Sequence, residues 1–258
     1  MSDPDRGQGP GRKWSQARTG SAGPSVSPLA LSVPVPDREP GRPPQPVRTG
    51  LWLFAPHRDS LGGSSWLLET ATGDVLVDVP GLTQANLDFL LGRSRPERSG
   101  TIVLTGREGH GRLRRLQEQL DWRVLVQEQE AYLLPGVSRL ESFGAEHHLG
   151  EGVQLLWTPG PSPGACVIHA SSPLAGDGLF CGRLLVPQAP GRLAPLRGRR
   201  CFHWPRQLAN VEKLVSWLPT GSPDWIATGA GLGALRGDKL VLSGASMLTE
   251  LVRNLGNS

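Results

Sequence analysis

Seven residues, Thr158-Pro159-Gly160-Pro161-Ser162-Pro163-Gly164, stand between two apolar runs, 153–157 and 165–170, and they restrict the fold more than any other stretch. Each of the three prolines lacks an N–H and fixes its φ, so neither a helix nor a central strand can pass through them. The two glycines allow tight turns. The flanking runs therefore read as two separate strands joined by a stiff connection.

From Leu51 onward the chain keeps this texture, with short apolar runs between Gly, Pro and charged turns. Strands are expected at 51–55, 64–69, 75–79, 101–105, 123–127, 153–158, 165–170, 178–181, 200–203 and 224–228. Helical spacing places Leu113, Leu116 and Leu120 on one face; Leu208, Val211, Leu214, Val215 and Leu218 share a second, and Leu248, Leu251, Val252 and Leu255 a third. Pro205 suits the first turn of the middle helix, where a missing N–H costs nothing. Residues 86–91 and 130–134 read as apolar core pieces without a polar constellation. Interleaved strands and helices make this an α/β chain.

Residues 1–46 hold ten of the 24 prolines and little apolar clustering, too little to offset the entropy of ordering. We expect a disordered Pro/Gly/Arg-rich tail over 1–49 and one folded domain over 50–258. The charge follows the same division. Residues 1–50 carry seven basic and four acidic side chains, most of the chain's net +4, so the body is nearly neutral. That disfavours nucleic acid as a partner. No stretch approaches the ~18 apolar residues of a membrane span, and without a short apolar run near Met1 a secretory signal is not expected. Cys166, Cys181 and Cys201 are odd in number and never form CxxC. Reduced buried thiols and a cytoplasmic location are the expectation.

Chemistry is expected where strands run into Gly-rich turns: Thr105-Gly106-Arg107-Glu108-Gly109-His110-Gly111, then Thr158 to Gly164, then Cys181-Gly182-Arg183, and Thr228-Gly229-Ala230-Gly231. In order and local sequence these resemble the metallo-β-lactamase fold superfamily. Its members show an early strand ending in Asp, then Thr-His-x-His-x-Asp-His, Thr-Pro-Gly-His-Thr-Pro-Gly, an apolar run ending Gly-Asp, and Gly-His-Gly. Val75 to Asp78 supplies the early strand, and Thr158 to Gly164 departs from its motif only at Pro161 and Ser162. The resemblance covers roughly residues 50–245 and implies an αββα sandwich.

The resemblance also implies where metal would be held, and there this chain departs from the pattern. The ligand positions fall on Gly106, Glu108, His110, Gly111, Pro161, Arg183 and Ala230. Zinc needs three or four converging donors; Gly, Pro and Ala offer none, and Arg is permanently cationic. No metal and no other cofactor are expected. A Glu108–Arg183 ion pair across the former metal centre is expected instead, because opposite charges replace neighbouring ligands.

Arg183, Arg107, Glu108 and His57 are then the candidate ligand-binding residues. Arg192, Arg197, Arg199 and Arg200 could extend an anion-binding cleft. The resulting reading is a non-catalytic binding protein for a small anionic ligand or a protein partner. Two alternatives stand beside it. One is an atypical hydrolase using Glu108 and His110 as catalytic groups, with zinc or iron held by a further histidine. The other is a protein-interaction scaffold. His147, His148, His169 and His203 read as surface, core or rim histidines.

Overall fold

A computed structural model describes residues 39–94, 100–150 and 152–256. Most of the expected tail, residues 1–38, lies outside the described residues. Its last part does not behave as a tail: β1 (Gln45–Arg48) pairs antiparallel with β2 (Leu51–Phe54) and packs Val47 against the core. Proline content misled the reading here. Pro46 is tolerated because β1 is an edge strand.

These two strands open a seven-stranded sheet completed by β3 (Ser65–Glu69), β4 (Asp74–Val77), β5 (Thr101–Val103), β6 (Arg123–Gln127) and β7 (Leu140–Phe143). The strands lie in chain order, antiparallel up to β4 and parallel from β4 to β7. The parallel part needs crossovers, and α1 (Gln84–Arg93), α2 (Leu113–Leu120) and the short α3 (Glu128–Ala131) lie in them.

The second sheet comes from the rest of the chain: β8 (Glu146–His148), β9 (Val153–Trp157), β10 (Cys166–Ser172), β11 (Gly176–Phe180), and, after the hairpin β12 (Val186–Ala189) and β13 (Arg192–Ala194), β14 (Trp225–Ala227) and β15 (Val241–Leu242). Its order is β15-β14-β11-β10-β9-β8. Two long helices, α4 (Trp204–Trp217) and α5 (Gly244–Leu255), pack on it.

Period-2 alternation sorts the apolar side chains into layers. Trp66, Leu68, Val75, Val77, Val103 and Leu125 of the first sheet meet Leu155, Ile168, Phe180 and Trp225 of the second. The intervening Leu67, Leu76, Ile102 and Val124 point the other way, onto Leu87, Leu90, Leu113 and Leu116 of the first helices. Leu156, Val167, Leu179 and Ile226 likewise face Val211, Leu214 and Leu248. The result is the expected αββα sandwich. Each fully buried Leu, Val or Phe contributes roughly 1.5–3 kcal/mol.

The expected strand at 200–203 is absent. Phe202 and His203 instead donate single backbone bonds to Pro161 and Gly160, and the His203 ring caps α4 by accepting from the Arg206 N–H at 3.1 Å, with Pro205 in the first turn. The run of Cys, Phe and His is the approach to a helix, with His203 as its cap rather than a strand residue.

Candidate functional site

The loops after β4, β5, β11 and β14 and the Pro-Gly turn between β9 and β10 come together around a cavity of about 240 Å³. Asp78 follows the last residue of β4, and its φ of 60° is left-handed, a conformation Asp tolerates better than most residues. Its buried carboxylate accepts two short bonds from one residue, the Thr105 N–H at 2.7 Å and the Thr105 hydroxyl at 2.6 Å. Burial pushes Asp78 up to about 6, against the pull of those bonds and of the nearby His110 and Arg183. Close approach requires glycine on two sides. A Cβ on Gly109 would sit 2.0 Å from Asp78 Oδ1, and one on Gly182, whose φ is 52°, would sit 2.8 Å from Thr105.

Arg183 Nε lies 2.7 Å from Glu108 Oε2, so the expected ion pair is formed. A second bond, from Arg183 Nη2 to the Ser60 carbonyl at 3.2 Å, ties it to the loop after β2. Arg200 also reaches Glu108, at 3.5 Å, from the solvent side. Both members of the main pair are largely withdrawn from solvent, Arg183 28% and Glu108 19% exposed. A guanidinium thus occupies the centre of the convergence.

Of the sequence candidates, Arg107, Glu108 and Arg183 line the cavity together with Gly106, Pro161 and Arg200. His110 and Gly111 line a separate groove beside α2. Ala230 is buried and accepts from the Ser64 hydroxyl through its carbonyl. His57 is not among the cavity-lining residues; it accepts from the Asp59 N–H at 3.2 Å and lies 3.6 Å from Glu39. Arg192 pairs with Glu250 away from the cavity, and Arg197 and Arg199 are not in its wall.

The sequence predicts an apolar core piece without polar function over 130–134, whereas the structure buries a working carboxylate there. Glu130 is fully buried behind the cavity wall. Its Oε1 accepts from the Gly164 N–H at 3.0 Å and lies 3.5 Å from Arg107 Nε; its Oε2 is 3.7 Å from His110 Nε2, too far for a full hydrogen bond. Burial pushes Glu130 up, but His110, Ser162 and the Gly164 N–H outweigh it and hold the carboxyl below its ordinary range. Nothing local in Gln127-Glu128-Gln129-Glu130 marks this role, because its partners lie 20 or more residues away.

Elsewhere His169 Nε2 lies 2.6 Å from Asp177 and 2.9 Å from Ser222 Oγ. One nitrogen faces both partners, so no Ser-His-Asp relay is built. Burial pushes the Cys166 thiol well up and Cys181 up to about 12, which leaves both unreactive.

The residues present do not fit the metal centre that the resemblance implies. Gly106, Gly111, Pro161 and Ala230 have no side-chain donor, and the one carboxylate at a ligand position, Glu108, is held by two guanidinium groups. Among the described residues no group of three or more His, Cys, Asp and Glu converges on a point. No helix among them is long and apolar enough to cross a membrane.

No family model matches the sequence, and no curated protein matches it. Solved structures do. A B3 metallo-β-lactamase described as the first with an active-site glutamic acid matches at 18% identity, over 84% of this chain and 90% of that one, with a TM-score of 0.57. An archaeal metallo-β-lactamase superfamily protein from Sulfolobus tokodaii matches at 16% identity, over 81% and 87%, with a TM-score of 0.54. A Cronobacter sakazakii metallo-β-lactamase with a HARLDQ motif matches at 19% identity, over 84% and 97%, with a TM-score of 0.53. At these identities the likeness is one of fold.

Proposed function

Starting from a chain that has the metallo-β-lactamase fold, we propose a non-catalytic binding protein that holds a small anion in the cavity where metal-dependent relatives do their chemistry. The observation that carries this reading is the Arg183–Glu108 pair. Hydrolysis on this fold depends on a metal-bound hydroxide; here a fixed cation stands at the centre, and among the described residues no three His, Cys, Asp or Glu side chains converge there. Arg107 and Arg200, 44% and 68% exposed, keep guanidinium N–H groups free for a ligand at the mouth. Neither cofactor nor metal is required.

The hydrolase alternative draws on Glu108, and on the fact that one similar β-lactamase is named for an active-site glutamic acid. It is weaker here, because Glu108 is committed to two arginines while His110 faces Glu130 and lies outside the cavity wall.

The test is elemental mass spectrometry on protein purified without a metal-binding tag, followed by titration of the chelator-treated protein with sodium acetate and sodium phosphate, read by amide NMR. Trace metal, with shifts at Gly106, Glu108 and Gly229 that Arg183→Ala removes, supports the reading. Stoichiometric zinc, iron or manganese sinks it.

A further inference from the structure

Between Asp177 and Glu212 the chain carries six arginines and no acidic residue. Glu108 engages Arg183 and Arg200, and Glu250 engages Arg192. Arg197, Arg199 and Arg206 are exposed and form no ion pair among the described residues. Two large apolar side chains stand out beside them, Leu196 56% and Phe202 50% exposed. We propose that this loop, from Leu196 to Arg206, docks the protein on the surface of an anionic lipid bilayer. Neither Leu196, Phe202 nor the three unpaired arginines line the cavity, so docking is separate from ligand binding there.

The backbone holds these side chains in place. The Cys201 N–H donates to the Gly198 carbonyl at 3.1 Å, closing a turn with Arg199 and Arg200 at its tip. The Phe202 and His203 N–H groups donate to the Pro161 and Gly160 carbonyls at 3.2 and 3.0 Å, which ties the loop to the Pro-Gly turn. Residues 196–200 are exposed without a break. A loop anchored in this way has already lost freedom that binding would otherwise have to remove.

Several polyanionic surfaces could meet this run of arginines, and the apolar side chains decide among them. Single-stranded nucleic acid is held by a series of rings on which successive bases stack. Here Leu196 has no stacking face, His203 is occupied in capping α4 and Trp204 is partly buried, which leaves Phe202 alone. A protein interface gathers apolar contact at its centre and charge at its rim, whereas this turn sets Arg199 and Arg200 between Leu196 and Phe202. A bilayer suits that order, because phosphates and acyl chains lie one beneath the other. The guanidinium groups stop at the phosphate level while Leu196 and Phe202 reach past them. Each arginine near such a surface is worth roughly fivefold in affinity.

Pelleting of the full-length chain with sucrose-loaded vesicles, either phosphatidylcholine alone or phosphatidylcholine and phosphatidylserine in equal parts, tests this. Binding is expected to the mixed vesicles only, and added salt should weaken it. Arg197→Gln combined with Arg199→Gln should weaken it about tenfold or more, and Leu196→Ser combined with Phe202→Ser severalfold. All four side chains are exposed, so both variants should match the parent in circular dichroism. No pelleting with the mixed vesicles would overturn the proposal. Pelleting that both variants retain in full would overturn it too, because the contact would then lie elsewhere in the chain. Polyuridylate bound as tightly as the mixed vesicles, with the Leu196 and Phe202 substitutions affecting neither, would overturn it in favour of nucleic acid.

Discussion

Glu108 and Arg183 lie 75 positions apart in the chain, one on the loop after β5 of the first sheet and one on the loop after β11 of the second, and their charged groups meet at 2.7 Å. The pair therefore joins the two sheets at the point where the cavity opens between them. It is mostly shielded from water, so its attraction is less screened than at the surface, but each ion has also lost hydration.

A double-mutant cycle measures that balance. Glu108→Gln and Arg183→Met should each cost about 1–3 kcal/mol in urea unfolding, and the double variant should cost less than their sum by about 1 kcal/mol or more. Strict additivity would mean that the two charges sit together without interacting.

Metal should contribute nothing to folding stability. A resident ion at a thousandfold its dissociation constant stabilises by ~4 kcal/mol, which for a domain of this size raises Tm by roughly 8 °C or more. Millimolar chelator should leave the unfolding midpoint unchanged in differential scanning calorimetry, and a drop of that size would show a resident metal ion.

Asp78 makes the protein less stable as pH rises through mildly acidic values. Its carboxyl titrates near 6 in the folded chain and near 3.8 in the unfolded one, so between those values the native state binds more protons and unfolding becomes easier with rising pH. The loss should reach on the order of 3 kcal/mol above pH 6. Asp78→Asn tolerates the left-handed backbone and should flatten this dependence, measured as urea stability from pH 4 to 7.5. A slope that survives the substitution would place the proton elsewhere.

Gly182→Ala combines a left-handed φ with a Cβ 2.8 Å from Thr105. It should cost about 2 kcal/mol or more and, by moving Thr105, weaken anion binding at the cavity. Gly191→Ala, also at positive φ but with open space around it, is the control: it carries the backbone strain alone and should leave binding intact.

The apolar runs Val75-Leu76-Val77 and Leu155-Leu156 were enough to mark strands, but they are apolar on both faces, so which side chain meets which layer is visible only in the fold. The Pro-Gly turn was equally legible, since its prolines leave few backbone choices. Glu108 and Arg183 could be paired in advance because the resemblance to a known fold placed them together. Glu130 could not: its place behind the cavity depends on Gly164, Arg107 and His110, and no local pattern announces partners so distant. Ser162 was visible only as a departure from a motif, and the close packing of its hydroxyl depends on the absence of a side chain at Gly106. Gln45–Arg48 was misplaced because proline content describes a tendency to stay unfolded, whereas an edge strand needs a partner on one side only.

The first sheet is finished by Phe143 and the second begins at Glu146. During synthesis the leading half can thus complete all its strand pairings while Trp66, Leu68, Val77 and Leu125 still wait for the trailing half to cover them. Ser60, Asp78 and Glu108 emerge with the first half, Ser162, Arg183 and Arg200 with the second. The cavity exists on neither piece alone; its wall is complete only in a chain whose two halves have closed on each other.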